Sequence, residues 1–168
     1  VPLWSHADHV FKITDYPALK ALSVPMVEGN DIYVVGVEQQ EGGLWLRLRR
    51  ISLKDKSSHL LGQALLRPTP SGQTSLAFGE ITACCLGKDQ VFVGTRSDGL
   101  FAFDRAGKPG KLLSKDFPSQ EIDALTYHDG KLYVALRDGY LLALDPALAN
   151  VETLASSRRR EHLSPFDD

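Results

Sequence analysis

Lys131-Leu132-Tyr133-Val134-Ala135-Leu136-Arg137-Asp138-Gly139-Tyr140-Leu141-Leu142-Ala143-Leu144-Asp145 reads as two short apolar runs joined through Asp-Gly. Asp-Gly between apolar runs is a strong hairpin signal, because glycine takes positive φ without a Cβ clash. The runs are too short for helices and rich in Val, Leu and Tyr, so strands are predicted. Working outward, His128-Asp129-Gly130 is a second turn and Asp145-Pro146 a third. They delimit a four-strand unit with strands over 122–127, 131–136, 140–144 and 151–155.

The unit has a copy upstream. Residues 80–113 superpose on 121–154 at a constant offset of 41 without a gap, and ten of the 34 pairs are identical. The identities include Glu80/Glu121, Ile81/Ile122, Val93/Val134, Arg96/Arg137, Leu100/Leu141, Ala102/Ala143 and Asp104/Asp145. Unrelated segments of average composition would share about two or three, so the repeat is real. Its turns fall at 87–90, 97–99 and 106–110. A looser third copy comes first, with strands expected over 22–27, 31–38, 44–53 and 60–66 and tight turns at 28–30 and 39–43.

Four strands in about 41 residues is the period of a propeller blade. The expected fold is all-β, made of β-propeller blades: about three four-stranded antiparallel repeats, incomplete or part of a larger propeller. The chain divides into an N-terminal segment 1–19, a divergent blade 20–66, a loop 67–79, a blade 80–118, a blade 119–157 and a tail or linker 158–168. Propellers close with roughly four to eight blades, which hides the sheet edges. Three ways of completing the circle stand open. The chain is a piece of a longer protein, two copies pair, or residues 1–19 and 158–168 jointly add a thin fourth sheet. His9 to Thr14 alternates as one strand of such a sheet would.

The run from Val91 to Asp104, with Val93-Gly94-Thr95, Ser97-Asp98-Gly99 and Leu100-Phe101-Ala102-Phe103-Asp104, resembles the regulator-propeller repeats of two-component-regulator type. In the second copy Val134-Ala135-Leu136 stands at the Val-Gly-Thr step. The resemblance covers 80–157 well and 20–66 weakly. It implies a blade fold and a sensor or scaffold part of a larger protein. Quinoprotein propellers are the enzymatic comparison. Their repeated Trp motifs are missing, since Trp4 and Trp45 are the only tryptophans and neither recurs at the repeat spacing.

Composition is ordinary. Of 168 residues 43% are hydrophobic and 24% charged, with a net charge of -2, which gives no electrostatic reason to expect nucleic acid or an anionic membrane. No apolar stretch approaches the roughly 18–20 residues of a membrane helix. The two cysteines, Cys84 and Cys85, are adjacent. In a strand their side chains point to opposite faces, which opposes a ring disulfide. No Gly-x-Ser-x-Gly, phosphate loop or Cys-x-x-Cys occurs, and no catalytic residue, cofactor or metal set is assigned. His6, Asp8 and His9 could ligate a metal, but no third partner set is predictable.

Loops at one edge of each blade gather around a propeller axis. Arg96, Asp98, Arg137, Asp138, Glu80 and Glu121 are assigned to that edge as a ligand- or partner-binding set. Arginine presents a planar fork of donors suited to carboxylate or phosphate. The alternative is that these arginines pair with the neighbouring carboxylates and hold blade to blade. Glu38 stands near the comparable place in the first copy and breaks a full arginine ring. Asp104 and Asp145 fit turn caps better than a metal site. The expected function is a non-catalytic binding or scaffold module for a protein, a peptide or a small anion. The other reading is a propeller enzyme (hydrolase, lyase or quinone-type oxidoreductase) with catalytic loops at the axis.

Overall fold

A computed structural model of the protein describes residues 19–40, 42–68, 80–147 and 150–157. Among the described residues there are thirteen strands and no helix. Sheet 1 contains β1 (Leu19–Leu22), β2 (Met26–Glu28), β3 (Asp31–Gln40), β4 (Gly43–Ser52) and β5 (Ser58–Pro68). Sheet 2 contains β6 (Ile81–Leu86), β7 (Gln90–Thr95), β8 (Leu100–Asp104) and β9 (Lys111–Leu112). Sheet 3 contains β10 (Ile122–His128), β11 (Lys131–Leu136), β12 (Tyr140–Asp145) and β13 (Asn150–Ser156). Every pairing is antiparallel, and within each sheet successive strands are neighbours, except that β1 and β2 both pair with β3. The chain is all-β and built of β-propeller blades.

β1 and β2 lie end to end along β3, so sheet 1 is also four strands wide. The break falls at Ser23-Val24-Pro25, where proline has no N–H for the ladder. Ser23 bridges the gap: its N–H donates to the Val35 carbonyl at 2.8 Å, and its Oγ accepts from Val35 N–H at 2.9 Å. The sequence predicts one strand here and a hairpin turn over 39–43. In the structure β3 runs on to Gln40 and β4 starts at Gly43, with Gly42 and Gly43 at positive φ. Glu38 is consequently a buried strand residue, 4% exposed, and ion-pairs with Arg47 at 2.7 Å. β5 continues through Arg67 and Pro68, beyond the expected start of the loop. The rest of that loop (69–79), the N-terminal segment with its candidate strand 9–14, and the tail from 158 lie outside the described residues.

Each sheet begins with a β-bulge at the same place, after Leu19, Ile81 and Ile122. A bulge increases local twist and bends the strand, and this one recurs at the start of all three sheets. The sheets stack face to face through two apolar layers. Between sheets 1 and 2 the layer includes Tyr33, Val35, Val37, Leu46, Leu48, Val91, Val93, Phe101 and Phe103. Between sheets 2 and 3 it includes Phe92, Leu100, Ala102, Ile122, Leu132, Val134, Leu142 and Leu144. Strand alternation explains the division: odd-numbered residues of β7 and β8 face sheet 1 and even-numbered ones face sheet 3. Cys84 joins the first layer and Cys85 the second, so the adjacent cysteines do point opposite ways. Both are free thiols, and burial pushes each up to about 12.

Two close approaches fix the stacking. At Gly94 a Cβ would come within 2.5 Å of Ile122 Cγ2, so the glycine of the Val-Gly-Thr step is where sheet 3 closes on sheet 2. Tyr127 of β10 stacks on Phe92 of β7 with ring centroids 5.9 Å apart. Sheets 1 and 2 approach closely at Gly62 and Gly110 and are also joined by Arg105. It ion-pairs with Glu28, donates to the Gly87 carbonyl at 2.8 Å, and lies 5.1 Å from the centroid of the Tyr33 ring.

Candidate functional site

The upper edge, where the chain enters each sheet, carries all six residues assigned from sequence. Arg96 N–H donates to the Glu80 carbonyl at 2.8 Å, and Arg137 N–H donates to the Glu121 carbonyl at 3.0 Å. One backbone bond, repeated, thus ties the turn after the second strand to the residue before the first. Arg96 and Arg137 are both exposed. The repeat brings them to the same height on adjacent sheets, and packed sheets lie about 10 Å apart.

The carboxylates divide. Arg67, at the end of β5, crosses from sheet 1 and grips Asp98 with two bonds, Nη2 to Oδ2 at 2.6 Å and Nε to Oδ1 at 3.3 Å. The same Nη2 reaches Glu80 Oε2 at 3.4 Å and Ser97 Oγ at 3.2 Å. Bidentate arginine–carboxylate geometry is the strong form of this contact. Asp98 and Glu80 therefore serve the seam between sheets 1 and 2. Glu80 is 7% exposed. Burial raises its pKa, Arg67 opposes that, and the charge of Asp98 adds to it. Arg67 itself is held more firmly protonated, chiefly through its bond to Asp98.

The second copy lacks this grip. Glu121 pairs with Arg137 at 3.8 Å, both about half exposed, and Asp138 is an exposed turn residue. In place of an arginine, Thr82 of β6 crosses the seam, its hydroxyl donating to the Ile122 carbonyl of sheet 3, while Ser114 and Gln120 tie the segment between the two sheets to sheet 2. The Ser114 hydroxyl accepts from Leu100 N–H at 3.0 Å, and Gln120 Nε2 donates to the Ser114 carbonyl at 2.7 Å. Arg67 is the residue that sequence reading missed. It sits at the boundary of the expected loop, 31 positions from Asp98, and no periodicity marks it.

The lower edge holds a cleft of about 410 Å³ between sheets 2 and 3, lined by Lys88, Asp89, Asp104, Tyr127 and Asp145 among others. Two of these carboxylates are engaged in turns. Asp104 accepts from Ala106 N–H at 2.6 Å and Asp145 from Ala147 N–H at 2.9 Å, the cap that their spacing implies. The Ala106 bond, with Lys108 helping, lowers the pKa of Asp104. Among the described residues no group of three or more His, Cys, Asp or Glu is placed to hold a metal ion, and no helix is long and apolar enough to cross a membrane. His6, Asp8 and His9 lie outside the described residues.

No family model and no curated protein matches the chain. Among solved structures it is similar to the computationally designed Ika4 protein, with 18% identity over 80% of this chain and 66% of that one at a TM-score of 0.42. It is also similar to the computationally designed Ika8 protein, with 14% identity over 74% of this chain and 45% of that one at a TM-score of 0.41. Likenesses of this size carry no argument about function.

Proposed function

We propose that the chain is a non-catalytic binding module of the regulator-propeller kind, whose upper edge takes an acidic peptide or the acidic segment of a protein. The observation that carries this reading is the repeated bond from Arg96 and Arg137 to the carbonyls of Glu80 and Glu121. It gives two exposed guanidinium groups a common height on neighbouring sheets. Two forks on neighbouring sheets suit two carboxylates on one extended chain better than a single small anion. Arg67 engages both Asp98 and Glu80, so part of the negative charge at this edge is compensated from sheet 1.

The distribution of perturbed groups supports binding over catalysis. An active site gathers titratable groups with displaced pKa values in one cleft. Here they are dispersed: Glu80 at the upper edge, Cys84 and Cys85 in the two cores, Asp104 at the lower edge, and Asp55 in the β4–β5 turn, pushed down to about 2 by hydrogen bonds to Ser57 and Ser52.

The test is a fluorescence-anisotropy titration of a labelled Glu/Asp-rich peptide, with inorganic phosphate as competitor. Exposed charge-assisted contacts contribute about 1 kcal/mol each. Arg96→Ala combined with Arg137→Ala should therefore weaken the peptide about tenfold or more while the melting temperature stays unchanged. Unaltered affinity in the double variant would remove the reading, as would failure of the unmodified chain to bind the peptide.

A further inference from the structure

The outward face of sheet 3 repeats a face that is already occupied elsewhere in the molecule. On sheet 2, Phe92, Leu100 and Ala102 are 1%, 0% and 3% exposed because sheet 3 lies on them. Their counterparts one repeat later are Tyr133, Leu141 and Ala143, and Leu141 is 38% exposed. Tyr33, Phe92 and Tyr133 each stand third after the turn that precedes their strand, so all three sheets present an aromatic ring on this side. Tyr33 lies under Arg105 and Phe92 under Tyr127. A depression of about 370 Å³ lined by Lys131, Ala143, Asp145 and Glu152 opens on the same face. Its counterpart on sheet 2, lined by Gln90 and Asp104, receives Tyr127.

The other end of the array has the matching shape. Val27 of β2 pairs with Ile32, as Leu86 pairs with Val91 and Tyr127 with Leu132. Leu86 and Tyr127 pack against the preceding sheet, whereas Val27 is 62% exposed. Ile32 and Val34, on the same side as Val27, are only half-buried, while their counterparts Val91, Val93, Leu132 and Val134 are fully covered. Arg47 and Arg49 lie on this side of sheet 1 with Glu38, which pairs with Arg47, and Lys131, Asp145 and Glu152 lie on the outward face of sheet 3. The two ends are thus complementary in repeat position.

We infer that the outward face of sheet 3 docks the first sheet of a second copy of the chain, head to tail, with Val27 entering the depression beside Tyr133. Two copies of the three described sheets give six, within the roughly four to eight that close a propeller. A two-fold ring sets the outward face of sheet 3 against the exposed side of sheet 1 at both contacts. This contact is independent of what the upper edge binds.

Sedimentation of the unmodified chain should reveal a dimer, with Leu141→Glu and Val27→Glu each weakening it at least about tenfold. Val27→Glu reads the head-to-tail arrangement, because a contact between two outward faces of sheet 3 would ignore it. Disulfide trapping gives a second, independent readout, since it needs Cα atoms within about 7 Å. A mixture of Val27→Cys and Tyr133→Cys copies should cross-link on oxidation, and Tyr133→Cys alone should not. A chain that stays monomeric up to about 100 μM, a dimer insensitive to Val27→Glu, or Tyr133→Cys cross-linking to itself would each overturn the inference. Circular dichroism of the variants separates loss of contact from loss of fold.

Discussion

β7 and β11 hold the same place in consecutive repeats and carry similar residues, yet they are buried differently. In β7 five successive residues, Val91 to Thr95, are buried; in β11 burial alternates, with Leu132, Val134 and Leu136 covered and Tyr133 and Ala135 half-exposed. Local propensity is the same for both strands. The difference comes from the neighbours: sheet 2 is covered on two faces and sheet 3 on one. Phe92 and Tyr133 are therefore the same structural residue in two environments, and comparing them reads the stacking directly.

The largest expected effect sharpens that contrast. Phe92→Ala should cost about 3–5 kcal/mol in a denaturant melt, the usual range for a fully buried aromatic ring. Tyr133→Ala, measured on dilute chain, should cost about 1 kcal/mol or less, since the ring is covered on one side only. Equal losses would mean that the face of sheet 3 is occupied in the single chain.

Glu80 and Glu121 make a second matched pair, one buried and one half-exposed. The raised pKa of Glu80 means that the folded chain holds its proton more tightly than the unfolded chain does. Between the ordinary glutamate value of 4.5 and the raised folded value, the folded state binds more protons, so stability falls as pH rises. Below 4.5 both states are protonated and the dependence ends. Glu80→Gln should flatten this window in melts run from pH 4 to pH 7, by less than the effect of Phe92→Ala. An unchanged slope would mean that the carboxylate is better solvated than its position beside Arg67 implies.

Much of sheets 2 and 3 was legible in sequence because each turn carries its own chemistry. Asp129-Gly130 and Asp138-Gly139 bracket β11, whose bounds match the expected run; β10 and β12 differ from theirs by one residue at one end and β13 by one at each end. The 41-residue offset then gave the equivalence of Arg96 with Arg137 and of Asp104 with Asp145. Sheet 1 was less legible. Its inner strand is completed by the Ser23 hydroxyl standing in for a ladder bond, and no local pattern encodes that. β9 is only two residues long, preceded by Pro109 and Gly110, and the segment after it is tied back to sheet 2 by Ser114 and Gln120. The candidate site was half legible: the backbone anchors of the two arginines follow the repeat, while the capture of Asp98 and Glu80 by Arg67 is a contact between repeats that no spacing announces.

The account rests on sheet 3 lying face to face on sheet 2, and the Phe92–Tyr127 stack is where that contact is most local. A double-mutant cycle with Phe92→Leu and Tyr127→Leu measures it, since coupling isolates the pair from the cost of each truncation. A coupling of about 0.5–1.5 kcal/mol is expected for Phe92 with Tyr127, and a value near zero for Tyr133 with Tyr127, which point to opposite faces of sheet 3. No coupling between Phe92 and Tyr127, or equal coupling in both cycles, would contradict the stacked arrangement.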